Sequence, residues 1–79
     1  MKINFNIDRN ELERRMVEGF NTKSKVSAKY GGYGWYIKVG NKTFSNHLAS
    51  AVQVDQDLDI LDKYGFNVKD ARTSIENDL

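Results

Sequence analysis

The chain predicts a small α+β fold, an antiparallel sheet with helices packed on one face and elements in the order β-α-β-β-β-α-α. Three observations carry this. Apolar and polar residues alternate over 2–7 and again over 25–45, the period of strands buried on one side only. Two breaks, Gly31-Gly32 and Gly40-Asn41, divide the second stretch into a three-stranded meander. Apolar spacing of helical period, with start and stop signals, fills the remainder.

The first strand is expected over 2–7, with Ile3, Phe5 and Ile7 on one side and Lys2, Asn4 and Asn6 on the other. Asp8 then caps a helix. Glu11, at the third helical position, completes a capping box, and Ile7 and Leu12 bracket it as a hydrophobic staple. The helix is expected to run to about Asn21, burying Leu12, Met16 and Phe20 at steps of four. If both meander turns are two-residue hairpins, Ala28 faces Trp35, Val26 faces Ile37 and Ile37 faces Phe44. Val26, Ala28, Tyr30, Tyr33, Trp35, Ile37, Val39 and Phe44 then share one face, with Trp35 buried against the first helix. Lys25, Ser27, Lys29, Tyr36, Lys38, Thr43 and Ser45 take the other. A second helix is expected from Ser45 or Asn46 to about Tyr64, burying Leu48, Ala51, Val52, Leu58 and Leu61, and stopping at Gly65. Asn67 caps a short last helix with Val68, Ala71, Ile75 and Leu79 on its stripe and Asp70 near its positive end.

At 79 residues the chain builds one compact core, so residues 1–79 read as a single domain. An apolar fraction of 39% with 29% charged residues lies within the globular range. Without cysteine, and with one histidine, neither a disulfide nor a structural zinc staples the fold, which leaves packing, helix ends or homodimerisation to stabilise it. No apolar run reaches signal-peptide or membrane-spanning length, which predicts a cytoplasmic protein with no membrane partner. Richness in Asn, Lys, Ile, Tyr and Asp without proline suits an AT-rich genome such as that of a low-GC bacterium or its phage.

Motifs for chemistry are sparse. Gly31-Gly32-Tyr33-Gly34 lacks the third glycine and following helix of a dinucleotide loop, and Gly40-Asn41-Lys42-Thr43 has Asn41 between the glycine and lysine of a phosphate loop. Both read as turns. Asp55, Asp57 and Asp59 alternate like calcium-loop ligands, but Ile60 stands where the glycine belongs and Phe66 where the bidentate glutamate belongs. His47 reads as a surface histidine at a helix start, and Ser45 and Ser50 beside it make no nucleophile elbow. No cofactor, metal or catalytic set is expected, and the protein reads as a non-enzyme.

Two charged surfaces remain. Net charge is +1, but residues 1–46 carry +5 and residues 47–79 carry −4. Asp55, Asp57, Asp59, Asp62 and Asp70 form an acidic helix surface suited to a protein or protein–nucleic-acid complex. Lys25, Lys29 and Lys38 surround Tyr36 on the outer sheet face, with Lys25 opposite Lys38 in the expected register, a repulsion that an anion relieves. The acidic surface predicts a small modulator or inhibitor of a macromolecular partner, of the kind that phages and mobile elements encode. The basic face predicts a nucleic-acid-binding module instead. The modest pI near 8.0 ranks the modulator slightly first. The order α-β-β-β-α from the first helix to the second resembles that of a double-stranded RNA-binding domain, but Asn46-His47-Leu48-Ala49-Ser50 holds no lysine where that family starts its last helix with several.

Overall fold

The computed structural model describes residues 8–79, and within the third strand the backbone but not the side chains of 46–48. The strand expected at 2–7 and the Ile7 half of the staple lie outside the described residues. The described elements run α1 (Arg9–Val17), β1 (Val26–Tyr30), β2 (Trp35–Val39), β3 (Lys42–Ala49), α2 (Ala51–Lys63) and α3 (Lys69–Ile75), closed by a 3₁₀ turn at Glu76–Asp78. This is an α+β fold with a three-stranded antiparallel sheet in the order β1-β2-β3.

Asp8 caps α1 as expected, its carboxylate accepting from the Asn10 N–H at 3.0 Å. Glu11 turns to Arg14 at 2.7 Å and Arg15 at 3.4 Å, so a charged pair on the helix surface takes the place of the reciprocal half of the capping box. The helix is also shorter than its apolar spacing predicts. The Asn21 side chain accepts from the Lys23 N–H at 2.9 Å and the Asn21 carbonyl from the Ser24 N–H at 2.9 Å, a local turn that competes with helix. Val17 is buried, whereas Leu12 and Met16 are 45% and 41% exposed. Phe20, beyond the helix, meets the Phe44 ring edge-on at 5.5 Å. At its other end α1 is tied to α2: the Lys63 ammonium donates to Asn10 at 2.7 Å and the Tyr64 hydroxyl donates to the Asn10 carbonyl at 3.1 Å.

The β1–β2 register differs from the expected one by two residues, pairing Tyr30 with Trp35, Ala28 with Ile37 and Val26 with Val39. Gly31 to Gly34 form a four-residue connection in place of a two-residue one, closed by the Gly31 N–H on the Gly34 carbonyl at 2.9 Å. A shift of two preserves which side each residue faces. Val26, Ala28, Ile37 and Val39 are buried on the inner side, as expected. The β2–β3 pairing starts at Val39↔Lys42 and Lys38↔Thr43, then jumps to Ile37↔Ser45, which leaves Phe44 as the extra residue of a bulge. Ser45, expected outside, thereby comes opposite Ile37 and is buried. Trp35 is half-buried, and the ring that meets it is Tyr30, edge-on at 5.5 Å across the strand pair, not a residue of α1. Tyr30 and Tyr33, expected in the buried set, are 62% and 86% exposed, Tyr30 at the last position of β1 and Tyr33 within the hairpin connection.

β3 continues to Ala49, so residues 45–49 are strand where a helix start was expected, and His47 lies in that strand. α2 begins where Ser50 accepts from the Gln53 N–H at 3.2 Å. Ala51, Val54, Leu58 and Leu61 then face the core, and Val52, expected inside, is 55% exposed. The helix stops at Gly65, whose φ of +93° lies in the region glycine alone enters without steric cost. There the Phe66 N–H reaches the Leu61 carbonyl at 3.0 Å and the Gly65 N–H the Asp62 carbonyl at 3.1 Å, a Schellman closure. Asn67 accepts from the Lys69 N–H at 3.1 Å and shapes the entry to α3, whose Ala71 and Ile75, with Val68 just before it, are buried. Leu79, expected on that stripe, is 61% exposed. Both α2 and α3 lie on the inner side of the sheet, α3 against β1 and α2 against β2 and β3. Ile37, Leu58, Leu61, Ile75, Val26 and Val54 are the fully buried centre, each stabilising by about 1.5–3 kcal/mol through burial. Among the described residues no helix is long and apolar enough to cross a membrane.

Candidate nucleic-acid interface

With α2 and α3 on one side, strand alternation fixes what the sheet shows on the other: Ser27 and Lys29 from β1, Tyr36 and Lys38 from β2, Thr43 from β3, and Lys25 just ahead of β1. Lys25 and Lys29 are exposed, and Lys38 and Tyr36 are half-buried. The register corrects one expectation. Lys38 stands opposite Ser27 and Thr43, not Lys25, whose carbonyl instead accepts from the Gly40 N–H at 2.8 Å. Lys38 is therefore the diagonal neighbour of both Lys25 and Lys29, at about 7–8 Å in an antiparallel pair. Two ammonium groups at that range repel by about half a kcal/mol in water, before salt screening. The repulsion that the sequence implied is present in weaker form, spread over three lysines.

Tyr36 sits directly opposite Lys29 and two residues along β2 from Lys38. Its ring edge lies against the hairpin connection: a Cβ at Gly31 would come within 3.4 Å of Tyr36 Cε1. The lysine-flanked ring thus lies beside the Gly31 main chain, at a distance where a Cβ would be in van der Waals contact with it. Ion pairs among the described residues join Glu11 to Arg14 and Arg15, Lys63 to Glu13, and Arg72 to Asp55 and Asp59. Lys25, Lys29 and Lys38 take part in none of them.

The acidic set is distributed differently from the expected surface. Asp57 is buried and accepts from the Gln53 side chain at 3.4 Å, on the inward side of α2. Asp55 and Asp59 are both held by Arg72 of α3, at 2.7 and 2.5 Å. The Asp59 hydrogen bond, backed by the charges of Asp59, Asp55 and Asp62, holds the Arg72 guanidinium above its ordinary pKa against partial desolvation. Asp62 and Asp70 remain exposed. The five aspartates therefore form no single surface.

No group of three or more His, Cys, Asp or Glu among the described residues is arranged to hold a metal ion. An open groove of about 590 Å³ runs beside Met16, Phe44, Ala49 and Ser50, where the Ser50 hydroxyl is committed to capping α2. The hairpin-end tyrosines are the feature that sequence reasoning missed. Their signal was present in Tyr30-Gly31-Gly32-Tyr33-Gly34, since three glycines between two tyrosines favour a loop long enough to carry the second ring off the sheet. No family model matches the chain, and neither a curated protein nor a solved structure matches it.

Proposed function

We propose that this is a non-enzymatic binding protein whose working surface is the outer sheet face and whose partner is a nucleic acid. The observation that carries the reading is the set of three lysines around Tyr36, none engaged by a carboxylate among the described residues, on the side of the sheet opposite α2 and α3. Lysines not held in ion pairs among the described residues are available to phosphates, and the counterions displaced from the nucleic acid supply the driving force. Serine and threonine hydroxyls between them add donors for phosphate oxygens. A modulator acting through its acidic helix surface is less well supported, because Asp55 and Asp59 already hold Arg72 and Asp57 is buried.

The test is the salt dependence of binding to a labelled oligonucleotide, measured by fluorescence anisotropy. With Lys25, Lys29 and Lys38 all replaced by alanine, the slope of log affinity against log salt should flatten by about 2–3, from about 0.7–0.9 per phosphate contact. Replacing the exposed acids, Asp62→Asn with Asp70→Asn, should leave affinity unchanged or raise it. A parent protein that binds no DNA or RNA at about 50 mM salt, where electrostatic binding is strongest, would end the reading.

A further inference from the structure

We infer that the nucleic acid bound by the outer face is single-stranded, with Tyr36 and Tyr33 as stacking platforms for unpaired bases. This rests on the nucleic-acid reading above and narrows it. Discrimination of bases inside a duplex groove is done by side chains that reach base edges, chiefly Arg or Lys on guanine and Asn or Gln on adenine. Among the described residues the face offers lysines but no Arg, Asn or Gln. Its described residues are lysines, two small hydroxyls and a tyrosine, a set better suited to gripping phosphates and covering an aromatic plane than to reading a groove.

The rings themselves point the same way. Tyr36 is half-buried, with Lys29 across the strand pair and the Gly31 main chain beside its ring, so its freedom is restricted before any ligand arrives. Tyr33 stands on the hairpin connection with 86% of its surface in solvent. An apolar ring of that size held in water is a cost that stacking would remove. Neighbouring Tyr30 is less available, since its ring meets Trp35 and its hydroxyl donates to the Gly32 carbonyl at 3.4 Å. Bases in a duplex are already stacked on one another and offer no free plane, whereas a single strand offers one at every nucleotide. Aromatics beside a lysine cluster are the recurring device for holding such strands with little regard for sequence.

The experiment is an anisotropy titration of the full chain with a labelled oligo(dT) strand of about 20 nucleotides and with the same strand annealed to oligo(dA). The strand should bind at least about tenfold more tightly than the duplex. Tyr36→Leu should weaken strand binding by about 5–150-fold and leave the weak duplex binding unchanged, and Tyr36→Phe, which keeps the ring, should retain it. Tyr33→Ala, in an exposed connection where the fold is insensitive, should also weaken the strand complex, which guards against a Tyr36→Leu protein that merely misfolds. Duplex binding as tight as strand binding, or tyrosine variants that bind the strand like the parent, would overturn the inference while leaving the nucleic-acid reading in place. Absence of binding to both oligonucleotides would overturn the two together.

Discussion

The outer sheet face and the α2–α3 seam carry comparable numbers of charges, yet they have opposite fates in the fold. On the seam, one arginine on α3 reaches two aspartates one turn apart on α2, and a third aspartate turns inward to a glutamine. On the sheet, the three lysines are fixed by strand alternation on the side opposite α2 and α3, so the carboxylates of that seam cannot be drawn to them. Adjacent helices can fold a charge asymmetry back on itself, whereas a sheet covered on one side leaves the charges of its other side for solvent or a partner. Net charge counted along the sequence is therefore a poor guide to where a binding surface lies.

The largest effect that would sharpen this contrast comes from two neighbouring residues of β2. Ile37 is fully buried on the inner side and Lys38 stands on the outer, one residue away. Ile37→Ala should destabilise the fold by about 2–5 kcal/mol, the cost of lost burial plus a cavity. Lys38→Ala should stay within about 0.5 kcal/mol, as expected of a surface position. Urea denaturation of both variants measures the difference. Similar midpoints for the two would mean that the sheet does not have one structural and one free side.

A smaller effect is expected at the seam. Arg72→Met keeps much of the side-chain volume but leaves Asp55 and Asp59, one helical turn apart, facing each other without a cation. Because the arginine side chain is 35% exposed, the loss should be about 1 kcal/mol and should shrink in high salt. Adding Asp55→Asn and Asp59→Asn should recover part of it, the coupling a double-mutant cycle reads. If Arg72→Met leaves the denaturation midpoint unmoved, the aspartates are not structurally committed, and the acidic surface returns as a candidate for binding.

Much of this was legible in the sequence. The facing of the strands survived a wrong connection length because the error was even, and side chains repeat with a period of two. What the alternation could not reveal was the bulge at Phe44, since one inserted residue leaves no compositional mark and carries Ser45 to the inner side. The start of α2 was misplaced for a different reason. Asn46 and Ser45 are good caps in isolation, but Ser50 with Gln53 three residues on is the better signal, and it agrees with burial of Val54 over Val52. The acidic set was read as one surface because its members alternate in sequence, although a helix turns about 100° per residue and so sends Asp57 to the opposite side from Asp55 and Asp59. The side of the sheet on which the lysines stand was legible, since strand alternation alone decides it, whereas the pairing of Lys25 with Lys38 was not, because it depends on the connection length.

The two helix caps extend the comparison to elements that differ in burial. Ser50 caps α2, whose inner face is the centre of the core, and Asp8 caps α1, of which Val17 is the buried residue. Ser50→Ala should cost about 1 kcal/mol of global stability, since α2 cannot fray without exposing core. Asp8→Ala removes an equivalent hydrogen bond, yet should show about half that in global unfolding, because α1 can loosen locally. Hydrogen exchange should locate the Asp8→Ala effect in α1 amides alone. A loss of protection spread evenly over α2 and the sheet would show that α1 is as integral as the seam.

The smallest effect concerns the charges of α1, which stand between the two regions in character: paired, yet largely in solvent. The Arg14 hydrogen bond and charge, joined by Arg15, hold the Glu11 carboxyl below its ordinary pKa. A carboxylate so depressed contributes helix stability in full above the ordinary glutamate value and loses it as pH falls through the lowered one. Because the pair is exposed, the contribution should be visible only as a local change and should fade with added salt. An NMR titration of the Glu11 side-chain carboxyl carbon should therefore give a midpoint below about 4.3, the value of an unperturbed glutamate. Arg14→Gln should move it back toward that value, since Arg14 is the larger of the two influences. Arg72→Met should not move it, because Arg72 is bound to Asp55 and Asp59 on another pair of helices. A Glu11 midpoint at the unperturbed value would mean that this pair is no more committed than the lysines of the sheet.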